Sequence, residues 1–272
     1  MTEKAEETGG KGPASLDLQM DRAHPARVYD YFLGGKDNFP ADRELGDLIA
    51  AVTPEMRDTA HINRSFMVRA VKYVAECGVD QFLDLGTGIP TSPNTHEVAQ
   101  SVIPGAHVVY VDNDPIVSVH GRALLATDST TALVQADIRD IDRLLEEPKL
   151  RQLIDFSRPV AIMLVAVLHY VTDEDDPGRI VSRLLQEAAP GSYLILSHFS
   201  ADMSPRAHQV VELAARDGVA MRARSREEIA EFFTGLEMVE PGLVLPPLWR
   251  PDGPVPSDLS NAWGYAGVAR KN

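Results

Sequence analysis

A short apolar stretch, Phe82-Leu83-Asp84-Leu85, runs directly into Gly86-Thr87-Gly88-Ile89-Pro90. Two glycines in a turn after a strand leave the backbone open to a ligand at the carboxyl edge of a sheet, where a side chain would block it. An acid then recurs at the end of each of the next two apolar stretches. Asp112 closes Val109-Tyr110-Val111-Asp112, and Asp137 follows Gln135-Ala136. Asp112 is placed to accept hydrogen bonds from both hydroxyls of a ribose. Asp137 is placed to accept from an adenine amino group while Ile138 packs on the ring, and Asp84 to face an ammonium. Taken singly, Asp114 before Pro115 reads as a helix N-cap, and Asp137 can be read the same way. The ordered series on consecutive strand ends is what points to a nucleoside site.

Two cofactor classes use such a turn. A dinucleotide site wants Gly-x-Gly-x-x-Gly so that a pyrophosphate can rest on a helix N-terminus. Here the sixth position is Thr91, and Pro90 and Pro93 follow the glycines. S-adenosylmethionine carries an adenosine and an amino-acid tail but no phosphate, and it suits this turn better.

The elements around these residues alternate. Helical spacing over Pro40–Cys77 gives one stripe of Leu45, Leu48, Ile49 and Val52 and another of Met67, Ala70, Val71, Val74 and Ala75, with Gly78 as C-cap. Strands are expected at Gln81–Leu85, Val108–Val111, Thr131–Gln135, Val160–Leu168 and Tyr193–Ser197. The fourth is apolar throughout, as a strand covered on both faces should be. Helices are expected from Asn94, from Pro115 with Ile116, Val119, His120, Ala123 and Leu124 on one face, over Pro177–Ala188, from Ser204-Pro205 to Gly218, and from Ser225 to Gly235. Late strands are expected within Leu236–Leu245 and Tyr265–Ala269. This order predicts an α/β fold, a doubly wound, mostly parallel sheet with right-handed crossovers. Residues 1–20 read as a flexible tail, 21–78 as an N-terminal helical cap or lid, and 79–272 as the cofactor-binding domain.

The chain has 272 residues, and 26 Lys and Arg against 40 Asp and Glu give a net charge of −14. That balance argues against a phosphate backbone as partner, which needs clustered cations. Hydrophobic residues at 44% and charged ones at 24% exclude disorder over most of the length. The single cysteine, Cys77, excludes an intramolecular disulfide and reads as a packing residue. The longest apolar run, Val160 to Leu168, falls short of the roughly 20 residues of a membrane span. The polar, acidic start is no signal peptide. A cytoplasmic protein is expected.

The series resembles the class I S-adenosylmethionine-dependent methyltransferases, whose cofactor-binding half residues 80–200 cover. Ala166-Val167-Leu168-His169-Tyr170-Val171 is similar to their motif after strand four, and Ala189-Pro190-Gly191-Ser192-Tyr193-Leu194 to the turn before strand five. The run Ala26 to Phe39, with Asn63-Arg64-Ser65-Phe66 and Asp84 to Thr91, resembles one bacterial methyltransferase family long catalogued as a domain of unknown function, over nearly the whole chain. The resemblance implies a seven-stranded sheet with an antiparallel last strand. It also implies cofactor contacts from Asn113 and Ala166 beside Asp84, Gly86, Gly88, Asp112, Asp137 and Ile138. One departure is Pro90, where the superfamily's first motif carries a third glycine.

Methyl transfer from a sulfonium is an in-line displacement, accelerated largely by positioning, which is worth up to ~7–11 kcal/mol. A base is needed only when the acceptor must lose a proton. His169, at the end of strand four, is the first candidate base and His198 the second, while a lone His at a strand end is more often structural. Tyr31, Asn38 and Arg64 are expected near the cofactor's methionine end or the acceptor, with Arg64 able to pair with a carboxylate; the alternative is helix-cap and turn chemistry with Arg64 on a solvated face. Strand four lacks the Asn- or Asp-Pro-Pro-aromatic signature of enzymes that modify planar nitrogens, so a small-molecule acceptor is expected rather than nucleic acid. Asp173-Glu174-Asp175-Asp176 reads as a solvated helix entrance capped by Asp176, and no metal is expected. Two other readings remain open on the sequence: an NAD-type oxidoreductase and a non-catalytic S-adenosylmethionine-binding protein.

Overall fold

The computed structural model describes residues 18–125 and 129–272; the expected tail up to residue 17 lies outside them. Ten helices and seven strands alternate along the described chain. An N-terminal group of α1 (Pro25–Phe32), α2 (Pro40–Val52) and α3 (Met56–Glu76) precedes β1 (Gln81–Leu85). Then come α4 (Thr95–Val102), β2 (His107–Asp112), α5 (Pro115–Leu125), β3 (Thr131–Gln135), α6 (Ile141–Leu145), α7 (Pro148–Leu153) and β4 (Ala161–Val165). The remainder is α8 (Pro177–Glu187), β5 (Tyr193–Phe199), α9 (Arg206–Arg216), α10 (Arg226–Glu231), β6 (Glu237–Met238) and β7 (Gly264–Arg270).

The strands form one sheet in the order β3-β2-β1-β4-β5-β7-β6. β1 to β5 run parallel, and β7 lies antiparallel between β5 and β6. The chain reverses its direction of winding between β1 and β4, and a crevice opens at the carboxyl ends of strands where this happens. Both strands are buried almost throughout. α3 and α4 cover one face with Phe66, Met67, Val71, Val74 and Val98, joined by Trp249 from the long loop before β7. α6, α7, α8 and α10 cover the other with Leu144, Leu150, Ile180, Leu184 and Ile229. A third cluster joins Val28, Phe32, Ile49, Met56 and Ala60 of the N-terminal helices to Val210 of α9, Phe199 and Trp263. This group roofs the sheet's carboxyl edge. Among the described residues, no helix is long and apolar enough to cross a membrane.

Several expected details change. Leu48 is 48% exposed and Val119 49%, so the α2 face is carried by Leu45 and Ile49 and the α5 face by Ile116 and Val117. The fourth strand stops at Val165, because Ala166 turns into the left-handed region at φ +55° and Leu168–Tyr170 form a single tight helical turn. The late strand expected within Leu236–Leu245 shrinks to Glu237–Met238, with Pro241 unable to donate to a ladder. Asp176 does cap α8, accepting from the Arg179 N–H.

Candidate functional site

Each strand-end residue is held by local backbone chemistry. The amides of Gly86 and Thr87 donate to the Val111 carbonyl at 2.8 and 3.1 Å, tying the glycine turn to the end of β2. Gly86 sits at φ +70°, and a Cβ there would lie 2.2 Å from Cγ2 of Val167 after β4, so only glycine lets the two strand ends close. Gly88, at φ +69°, has open space where its Cβ would be. Its N–H donates to Asp112 Oδ2 at 2.8 Å while the Asp114 N–H donates to Oδ1 at 2.9 Å. Each carboxylate oxygen of Asp112 thus keeps a lone pair for a further donor.

These groups line one cavity of about 400 Å³. Asp84, Gly86, Gly88, Asp112, Asn113, Asp137, Ile138, Ala166 and Arg64 all reach its wall. A wider surface groove of about 820 Å³, between α8 and α10, contains none of them. Burial pushes Asp84 up to about 6, against the pull of a 2.7 Å hydrogen bond from Thr95 and the charge of Arg64. Burial likewise raises Asp112, against the amides that point at it. Burial would also raise Asp137, but the Arg139 side chain and amide outweigh it, so this acid sits below the usual range. Arg64 commits Nη2 to the carbonyls of Thr91 and Pro93 at 2.6 and 2.7 Å.

The segment from Gln19 to Arg27 forms the opposite wall, which the spacing of motifs alone did not reveal. Arg27, 1% exposed, brings Nε to 3.1 Å from Asp114 and 3.7 Å from Asp42. Its Nη2 donates to the carbonyls of Gln19 and Arg22. His24 Nε2 lies 3.2 Å from Asn113 Oδ1. The only advance signal was that Arg27 falls in the Ala26–Phe39 run.

Tyr31 and Asn38 are not brought to this wall. The Tyr31 hydroxyl donates to Asp47 at 2.5 Å and its ring packs under Arg57, 4.8 Å away. Asn38 donates to Asp30 and the Gly35 carbonyl and receives Arg43, closing the loop between α1 and α2. Turn and helix geometry account for both side chains.

His169 lies elsewhere too, in a smaller chamber of about 90 Å³ beneath the N-terminal helices. Tyr29, Asn63, Ala166 and Tyr170 line both spaces and so form the neck between them. Val28, Phe32, Met56, Phe199 and Trp263 supply apolar walls. The polar lining is already internally bonded: Ser197 donates to Asn63 at 2.6 Å, Asn63 to the Tyr29 hydroxyl at 2.9 Å, and Tyr29 to the Ala60 carbonyl at 3.0 Å. Burial, then His198 and Arg224, hold His169 well below its ordinary range, so its ring is neutral. The nearest polar contact to its Nδ1 is the Phe199 N–H at 3.5 Å. Burial pushes His198 down to about 3; its Nδ1 donates to the Phe199 carbonyl at 2.6 Å and its Nε2 accepts from Arg224 at 3.0 Å. Among the described residues no group of three or more His, Cys, Asp or Glu side chains could hold a metal ion.

A family profile described as S-adenosyl methyltransferase matches residues 11–272. The crystal structure of a DUF574-family protein from Streptomyces avermitilis is 46% identical, with a TM-score of 0.90 over 94% of this chain and 100% of that one. A Thermobifida fusca structure, named provisionally as a methyltransferase, is also 46% identical, with a TM-score of 0.90 over 96% of this chain and 100% of its own. No curated protein matches the chain.

Proposed function

The chain belongs to the S-adenosyl methyltransferase family and is an S-adenosylmethionine-dependent enzyme, and from that premise we propose that the larger cavity holds the cofactor and presents its methyl to a small molecule in the smaller chamber. The observation that carries this reading is the convergence of nine expected contact residues on one wall, with a second space joined to it at Ala166 and Tyr170. The residues fit the cofactor. The backbone at Gly88 is bare, Asp112 has lone pairs to spare for ribose hydroxyls, and Asn113 stands beside it at the rim. Ile138 offers an apolar surface to the adenine, and Asp137, held by Arg139 and Asn113, borders it. Asp84 faces the ammonium end. Arg64 has one guanidinium nitrogen fixed by carbonyls and the rest of the fork free for a carboxylate.

When bound, S-adenosylmethionine supplies an electrophilic methyl on a sulfonium whose charge disappears on transfer. The chain's part is to fix the two partners in line across the neck and to exclude water, which is where most of the acceleration in such a reaction resides. A neutral, buried His169 supports a positioning role better than proton abstraction, because a group held far below neutrality is a weak base at working pH. The charge of −14 and the single cysteine support a cytoplasmic enzyme that does not act on nucleic acid.

Calorimetric titration with S-adenosylhomocysteine and, separately, with NAD tests the reading. We expect the first to bind and the second not to, and Asp112→Asn to weaken S-adenosylhomocysteine at least tenfold. Binding of NAD alone, or an Asp112→Asn affinity equal to wild type, overturns it.

A further inference from the structure

The two joined spaces differ in what they can accept. The larger is lined by Asp84, Asp112, Asp137, Arg64 and Arg139, the smaller by no carboxylate, lysine or arginine among the described residues. Its polar lining is Tyr29, Thr59, Asn63, Tyr170, Ser197, Tyr265 and the two histidines. Burial keeps both histidines neutral and raises all three tyrosines. Arg224, close to His198, is matched by Asp173 at 2.8 Å. A charged molecule entering this chamber would lose its hydration with nothing of opposite sign to meet it, which disfavours it strongly against a neutral one. Size is limited as well: an apolar cavity of about 150 Å³ holds benzene, and this chamber, at about 90 Å³, takes no more than one ring, part of it reaching through the neck into the larger cavity. Two polar groups on the wall remain uncommitted. The Tyr170 hydroxyl and His169 Nε2 have no hydrogen-bond partner among the described residues.

We propose that the chamber takes an uncharged acceptor of about one ring in size, apolar except for one heteroatom that the Tyr170 hydroxyl holds at the neck, with the His169 ring beside it on the chamber side. The inference rests on the cofactor reading of the larger cavity and deepens it by naming the acceptor class. In the transfer, the heteroatom's lone pair forms the new bond to carbon, the carbon–sulfur pair returns to sulfur, and any displaced proton passes to water at the cavity mouth, where Arg22 and Asn113 are exposed.

The test uses the full chain saturated with S-adenosylhomocysteine and titrated with phenol or benzoate, followed by ligand-observed NMR. Phenol should bind saturably and benzoate at least tenfold more weakly. Tyr170→Phe should weaken phenol about fivefold. Val28→Phe, which fills the chamber away from the cofactor cavity, should abolish phenol binding and leave the S-adenosylhomocysteine affinity within twofold. If Val28→Phe fails to fold, seen as loss of both ligands, Ile62→Phe replaces it. Saturation with S-adenosylhomocysteine but no phenol binding, equal binding of benzoate, or phenol binding that survives the filled chamber overturns the acceptor class alone. Failure of S-adenosylhomocysteine to bind wild type removes the cofactor reading first, and this inference with it.

Discussion

The two cavities share a wall at Tyr29, Asn63, Ala166 and Tyr170 yet are built on different principles. Around the larger one, charges are held by backbone: two amides on Asp112, two carbonyls on Arg64, one amide on Asp137. Around the smaller one, shape comes from packing between helices and strands far apart in sequence, and the titratable groups are kept neutral. A ligand with fixed charges can be read by the first kind of wall, and only size and one hydrogen bond by the second. The lesson is that sites specified by strand-end chemistry and sites specified by packing fail differently under mutation and pH.

Acid should separate them most strongly. His198 has its folded pKa lowered to about 3 by burial, so on acidification from pH ~6.5 the unfolded chain takes up a proton that the folded chain refuses. Stability on the chamber side is full above pH ~6.5 and falls toward pH ~3, by at most about 5 kcal/mol. His198→Gln, which can still accept from Arg224, should flatten that loss in urea melts recorded against pH; an unchanged slope means that the ring is not the group being titrated.

Next in size is the anchor of the larger cavity's wall. Arg27→Met strands the buried Asp42 and Asp114 and should cost about 3–5 kcal/mol by chemical denaturation. A loss under ~1 kcal/mol would show that the wall is held by packing, as the chamber is.

Asp84 should respond with the sign opposite to His198. Its folded pKa is raised to about 6, so ionising it as pH rises from about 4 to 6 destabilises the fold by up to about 3 kcal/mol. Asp84→Asn should therefore melt higher than wild type at pH 7.5, converge with it near pH 4, and bind S-adenosylhomocysteine at least tenfold more weakly. Higher stability without weaker binding would detach this acid from the cofactor.

The smallest contrast lies within the glycine turn. Gly86→Ala combines positive-φ strain with a clash against Val167 and should cost about 2–4 kcal/mol. Gly88→Ala, where space is open, should cost only about 1 kcal/mol and be felt mainly in cofactor affinity. Thermal melts of the two variants side by side check the ordering.

Much of the larger cavity's lining was legible from sequence because each signal is local. The β1 and β3 limits, the N-cap at Asn94, the Pro115 start and the glycine–acid series all depend on a few adjacent residues. α1 was not, because Arg27 and Asp30 are buried beside Ala26, Val28 and Phe32 and break the apolar stripe. α6 and α7 are too short to show periodicity. Tyr31 and Asn38 lie in the right motif but turn toward Asp47 and Asp30. The chamber was unreadable for a different reason. Its walls come from residues as far apart as Val28, Ala60, Ala166, Val210 and Trp263, a juxtaposition that only tertiary packing creates.

The place of β7 has a consequence for how the protein is made. This last strand is not added at an edge; it slots between β5 and β6, and Gly264 approaches β5 so closely that a Cβ would lie 2.3 Å from the His198 carbonyl. Sheet closure thus waits for residues 264–270, far along the chain from the β5 they pair with, as expected where contacts are long-range. Ala262, Trp263, Gly264 and Tyr265 arrive with that strand and wall the chamber. Asp84, Asp112 and Asp137 are thus in the chain well before the smaller chamber has its full wall.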